Sequence, residues 1–64
     1  MNMEITEIKK YISKYDGIET KMYINMNGKY CVRLFDLDAE EVIQIYICKD
    51  LEQAEFYFEK VKNV

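Results

Sequence analysis

The chain reads as an α+β domain in the order helix, three-stranded antiparallel meander, helix (αβββα). Three observations carry that reading. Both ends place apolar residues at helical spacing, the middle alternates apolar and polar residues with a period of two, and Asp16-Gly17, Asn27-Gly28 and an acidic stretch at 36–40 separate the segments.

At the start, Ile5, Ile8, Ile12 and Tyr15 fall at i, i+3, i+7 and i+10, with Tyr11 on the flank. That is one stripe of a helix, expected over roughly residues 3 to 15. Asn2 is suited to cap it, Glu4 and Glu7 lie near the positive end of its dipole and Lys14 near the negative end. Asp16-Gly17 stops it.

From Ile18 the period changes to two. Ile18, Thr20, Met22 and Ile24 occupy one face of a strand over about 18–25, and Glu19, Lys21, Tyr23 and Asn25 the other. After Asn27-Gly28 a second strand alternates Tyr30, Val32 and Leu34 with Cys31, Arg33 and Phe35. Cross-strand partners must share a face, and this selects the turn. A two-residue Asn27-Gly28 turn would pair Met22 with Arg33. A three-residue loop, Met26-Asn27-Gly28 with Gly28 left-handed in a G1 bulge, pairs Asn25 with Lys29, Ile24 with Tyr30 and Met22 with Val32. The longer loop is expected.

The acidic segment from Asp36 to Glu40 turns the chain into a third strand, Val42 to Cys48. Here Ile43, Ile45 and Ile47 alternate with Val42, Gln44, Tyr46 and Cys48, and the isoleucine side is expected to be core. Asp50 then caps a last helix with Gln53 at its third position, and Leu51, Ala54, Phe58 and Val61 form its apolar stripe, flanked by Tyr57. Both helices are expected on the face made by Met22, Ile24, Val32, Leu34 and the three isoleucines. The other face is then left open.

Sixty-four residues make a single domain, 1–64, that buries only about 60% of the surface its unfolded form exposes. Such a chain is marginally stable, and association helps it. The composition, half hydrophobic and one-third charged with no proline, is that of a folded domain. No apolar run approaches a membrane span and no secretory leader is recognisable, so a cytoplasmic protein with no membrane partner is expected. Cys31 and Cys48 lack the spacing of a zinc or redox motif and read as two free thiols.

The net charge of −3 is unevenly spread. Residues 1–33 carry six bases and four acids, whereas 34–64 carry three bases and eight acids. The second half would repel nucleic acid and attract a basic protein surface. Only Lys9, Lys10 and Lys14 cluster, too few for a nucleic-acid patch.

Catalytic patterns are missing. There is no histidine to act as general base or metal ligand, Ser13 is the only serine, and no phosphate-binding glycine motif occurs. Asp36, Asp38, Glu40 and Glu41 form a carboxylate cluster but lack the glycine and closing glutamate of a Ca²⁺ loop. Turn formation and solubility are its simpler roles, and no metal or cofactor is expected.

Two surfaces remain as candidates. The open sheet face, with Tyr23, Cys31, Phe35, Val42, Tyr46 and Cys48 among Lys21, Arg33 and Gln44, has the mixed aromatic and polar character of interfaces. The competing arrangement puts one helix on each face and makes these residues core. Phe56 points about 170° from the apolar stripe of the last helix, among Glu52, Glu59 and Asn63, and is a candidate anchor. Single exposed apolar residues are also ordinary.

A short chain opening Met1-Asn2-Met3-Glu4, built as a helix and a three-stranded meander with an acidic second half, resembles small acidic inhibitors of phages and mobile elements, including the anti-CRISPR type. The resemblance covers architecture and no diagnostic motif. It implies an inhibitor of a larger host protein, with anti-defence action. The function expected is therefore non-enzymatic protein binding through Asp36, Asp38, Glu40, Glu41 and Phe56. The alternative is a homo-oligomer, a homodimer in the simplest case, joined through Tyr23, Phe35, Val42 and Tyr46.

Overall fold

A computed structural model describes residues 6–62. Four strands and one helix follow in the order β1 (Thr6–Ser13), β2 (Ile18–Ile24), β3 (Tyr30–Asp36), β4 (Glu41–Cys48) and α1 (Leu51–Lys62). The strands form one antiparallel sheet in the order β1-β2-β3-β4, so β1 and β4 are its edges.

This corrects the expected αβββα order. The segment read as a first helix is a strand over residues 6–13, and only one helix packs on the sheet among the described residues. The expected cap Asn2 and the residues Glu4 and Ile5 lie outside the described residues. Two forces favour the strand. Thr6, Ile8, Tyr11 and Ile12 are β-branched or aromatic residues that suit a pleated surface. Pairing also satisfies the backbone of β2, which would otherwise be an unprotected edge. The helical signal arises because a bulge at Ile8 breaks the alternation: Glu7 pairs with Tyr23 and Lys9 with Met22, on opposite faces although two residues apart.

The β2–β3 hairpin has the expected register, Ile24 with Tyr30 and Met22 with Val32. Asn25 N–H donates to the Lys29 carbonyl and Gly28 N–H to the Asn25 carbonyl, both at 2.9 Å, and Gly28 takes φ +79°. The Asn25 side chain braces the loop, its Oδ1 accepting from the N–H groups of Asn27 and Lys29 at 2.9 Å each. An Asx turn of this kind holds the left-handed residue in place.

The last strand is where expected, but its faces are exchanged. Asp36 pairs with Glu41, Phe35 with Val42, and Leu34 with Gln44, leaving Ile43 as a bulge. Beyond it Val32 pairs with Tyr46 and Tyr30 with Cys48. Tyr46 and Cys48 therefore face the helix, while Ile45 and Ile47 face away. The expected core residues Ile43, Ile45 and Ile47 are instead 49%, 43% and 67% exposed. The short connection sets the phase of the strand, and with a side-chain period of two that phase decides the face of every residue.

The core is small. Met22, Val32 and Cys48 of the sheet meet Ala54 and Phe58 of α1, with Tyr30, Tyr46, Tyr57 and Val61 packed around them. Tyr46 and Tyr57 stack at 4.9 Å with rings 10° apart. β1 reaches this layer through Lys9, whose Nζ lies 5.2 Å from the Phe58 ring centre, so its stem covers apolar surface and its charge meets the ring face.

Asp50 caps α1 as expected. Its Oδ1 accepts from Gln53 N–H at 2.9 Å, and Gln53 Oε1 accepts in turn from Lys49 N–H at 2.9 Å. The Asp36 carboxylate organises the β3–β4 turn, accepting from the N–H groups of Asp38 and Ala39 at 3.0 and 3.1 Å. Glu40 there holds φ +57°, a left-handed position without glycine.

Candidate functional site

The helix leaves two surfaces without a covering element among the described residues: the sheet face opposite α1, and the outer face of α1. The opposite sheet face has a polar middle and apolar margins. In the middle, Arg33 Nη2 lies 3.1 Å from Glu19 Oε1 and its guanidinium is 5.1 Å from the Phe35 ring centre. Lys21 and Glu7 approach to 3.9 Å. Beneath these, Tyr23 and Cys31 are buried. Burial, reinforced by the adjacent Cys31, pushes the Tyr23 phenol above its ordinary pKa, with Arg33 pulling it back.

The margins belong to the edge strands. Ile12 of β1 and Val42, Ile43, Ile45 and Ile47 of β4 are exposed. The aromatic set expected on this face is consequently divided. Tyr23 is buried in its centre, Phe35 is partly buried and Val42 lies exposed on its margin, whereas Tyr46 is on the helix side against Tyr57. The isoleucines take its place, and the signal for them, a bulge in β4, has no local mark in the sequence.

The two cysteines are on opposite faces of the sheet. Cys31 is paired with Ile47 on the open side and Cys48 with Tyr30 beneath the helix, so no bridge joins them and both are free thiols. Burial is the main reason that the Cys48 thiol is pushed up, helped by Cys31 and Asp50.

On the outer face of α1, Phe56 is 62% exposed. Shallow hollows flank it, one lined by Lys49, Asp50, Glu52 and Gln53, the other by Glu52, Glu55, Glu59 and Lys60. Its ring meets Tyr57 edge-on at 5.7 Å, and Lys60 Nζ is 5.8 Å from its centre. Glu55 and Lys60 join a ring of which the sequence identifies Glu52 and Glu59; Asn63 lies outside the described residues. The Phe56–Tyr57–Tyr46 row links this surface to β4 and fixes the side from which the anchor projects.

Asp36, Asp38, Glu40 and Glu41 come together in the β3–β4 turn, at the end of the sheet opposite the start of α1. They do not join Phe56 in one patch. Asp36 is committed to the turn, and Asp38 Oδ2 lies where a Cβ on Gly17 would meet it at 3.4 Å. No group of three His, Cys, Asp or Glu residues among those described is arranged to hold a metal ion. No described helix is long and apolar enough to cross a membrane.

The fold and surfaces define a small two-layer α+β module, one helix on a four-stranded meander. No family model matches the chain, and no curated protein or solved structure is significantly similar to it.

Proposed function

We propose that the protein is a non-enzymatic binding module that docks a basic partner protein on the outer face of α1. The observation that carries this is Phe56: a phenylalanine 62% exposed in mid-helix, held edge-on by Tyr57 and bordered by Glu52, Glu55 and Glu59. An aromatic anchor with a charged rim is the common form of an interaction hot spot. Asp38 and Glu40, in the acidic turn, add to the field that steers a basic surface towards the module. Such a module acts by occupancy, covering a basic site on a larger protein and inhibiting it. Its two free buried thiols suit a reducing compartment, and we place it in the cytoplasm.

The test replaces Phe56 by photoreactive benzoylphenylalanine and irradiates the protein in extract of its source cells. One cross-linked partner is expected, weakened between about 0.1 and 0.5 M salt as screening shortens. Unlabelled wild-type protein should compete for it and Phe56→Glu should not. Cross-links insensitive to salt, or competed equally by both proteins, would reject the α1 surface.

A further inference from the structure

We infer that two copies of this chain pair antiparallel along β4, edge to edge, forming one continuous eight-stranded sheet with Glu41 of each copy against Lys49 of the other. The first support is the backbone. Asn25 N–H bonds to the Lys29 carbonyl, and hydrogen-bonded pairs alternate along an antiparallel ladder. Residues 31, 33 and 35 of β3 thus turn to β2, and 30, 32 and 34 turn to β4. Their partners Cys48, Tyr46 and Gln44 spend their backbone groups inward. Ile45 and Ile47 direct theirs to the free edge.

That edge is unprotected. From Val42 to Cys48 it carries no charge and no proline, and four of its residues are β-branched. Natural edges are normally blunted by lysine, proline or a bulge that twists them away. The other edge, β1, has such devices: Glu7, Lys9 and Lys10 and the bulge at Ile8. One protected and one open edge favour a closed pair over a growing fibre.

The occupant follows from charge and register. A dyad perpendicular to the sheet at Ile45 sets Ile45 beside its own copy, Ile43 beside Ile47, and Glu41 beside Lys49. Centring the pairing one or two residues away loses the Glu41–Lys49 match. The bulge at Ile43 displaces the count by at most one residue, within the reach of two long side chains. Glu41 and Lys49 are both exposed, and Ile43, Ile45 and Ile47, so exposed in one copy, become cross-strand neighbours in the pair. Both α1 helices then lie on one side of the joined sheet with Phe56 outward, so self-pairing and the α1 surface stand or fall separately.

Sedimentation equilibrium over roughly 10–500 µM reads the mass, and dimers of twice 7.7 kDa are expected in that range. Glu41→Lys and Lys49→Glu should each weaken the dimer roughly tenfold or more, because two attractive pairs become repulsive. Mixing these two variants should restore association close to wild type, since the introduced lysine then faces the introduced glutamate and the native Glu41 faces the native Lys49. Ile45→Lys should give a monomer. Should Ile45→Lys fail to fold, the charge exchange still decides, because it alters only exposed side chains. A wild-type monomer at the highest concentration, open-ended growth in mass, or a mixture no tighter than its components would overturn the inference.

Discussion

Phe56 and Phe58 stand two residues apart on α1 and should behave as opposites. Phe58 is 3% exposed, packs with Met22, Val32, Cys48 and Ala54, and lies under Lys9 at 5.2 Å and Lys62 at 5.7 Å. Removing such a ring costs about 3–5 kcal/mol through lost transfer energy and the cavity left behind. The two lysine contacts add about 0.5–1 kcal/mol each at exposed sites. A chain of this length has roughly 3–10 kcal/mol of total stability at about 0.05–0.15 kcal/mol per residue. Phe58→Ala should therefore remove most of it, leaving no cooperative transition or a melting temperature lowered by well over 10 °C at about 4–8 °C per kcal/mol. Phe56→Ala loses an edge contact and little buried area, so it should cost at most about 1 kcal/mol. Urea unfolding followed by circular dichroism measures both, at one fixed protein concentration because association raises apparent stability. A Phe58→Ala cost below about 1.5 kcal/mol, or a Phe56→Ala cost above it, would mean that the helix packs with the other face inward.

Three further changes test particular contacts. Asp36→Ala removes the acceptor for two backbone N–H groups at 3.0 and 3.1 Å and should cost about 1–2 kcal/mol in urea melts, while Asp36→Asn retains most of it. Gly28→Ala meets nothing within 4 Å but must hold φ +79°, so roughly 1–2 kcal/mol of strain is expected, most of it relieved in Gly28→Asn. Alkali should destabilise the protein: the raised pKa values of Cys48 and Tyr23 mean that the unfolded chain ionises first, near the ordinary values of 9.0 and 10.0. Stability is full below those values and falls as pH rises through the folded ones. Tyr23→Phe should flatten the upper part of that fall, and a loss of stability as steep as that of wild type would refute the assignment.

What could be read in advance follows how local each determinant is. The β2–β3 loop was legible because faces on both sides constrain it and Gly28 supplies the left-handed residue. The cap formed by Asp50 and Gln53 is legible for the same reason, since all its partners lie within four residues. The outward direction of Phe56 follows from helical phase alone. The two failures both involve bulges. At Ile8 an inserted residue breaks the period of two and leaves a spacing that imitates a helix; at Ile43 another sets the phase of β4. Val42, Tyr46 and Cys48 offer a face nearly as apolar as three isoleucines, so hydrophobicity could not choose between them, and the register with β3 did.

The exchange of faces in β4 has an energetic consequence for how the molecule works. Beneath the helix, the strand contributes a small thiol and a tyrosine that stacks on Tyr57, and this lets α1 lie close to the sheet. The isoleucines, the most apolar residues of the strand, are meanwhile left on the margin of the uncovered face. A Cα envelope of 31 × 29 × 16 Å is one sheet and one helix thick, so the chain has no second layer with which to bury them. Each fully buried side chain of this type would contribute about 1.5–3 kcal/mol, comparable to a substantial part of the stability of so small a domain. A surface of that value on an unblunted edge is best accounted for by association. The same reasoning separates β4 from α1: the edge is apolar, uncharged and self-complementary, which suits a second copy, whereas Phe56 is bordered by acids that would repel a second acidic copy and favour a basic partner.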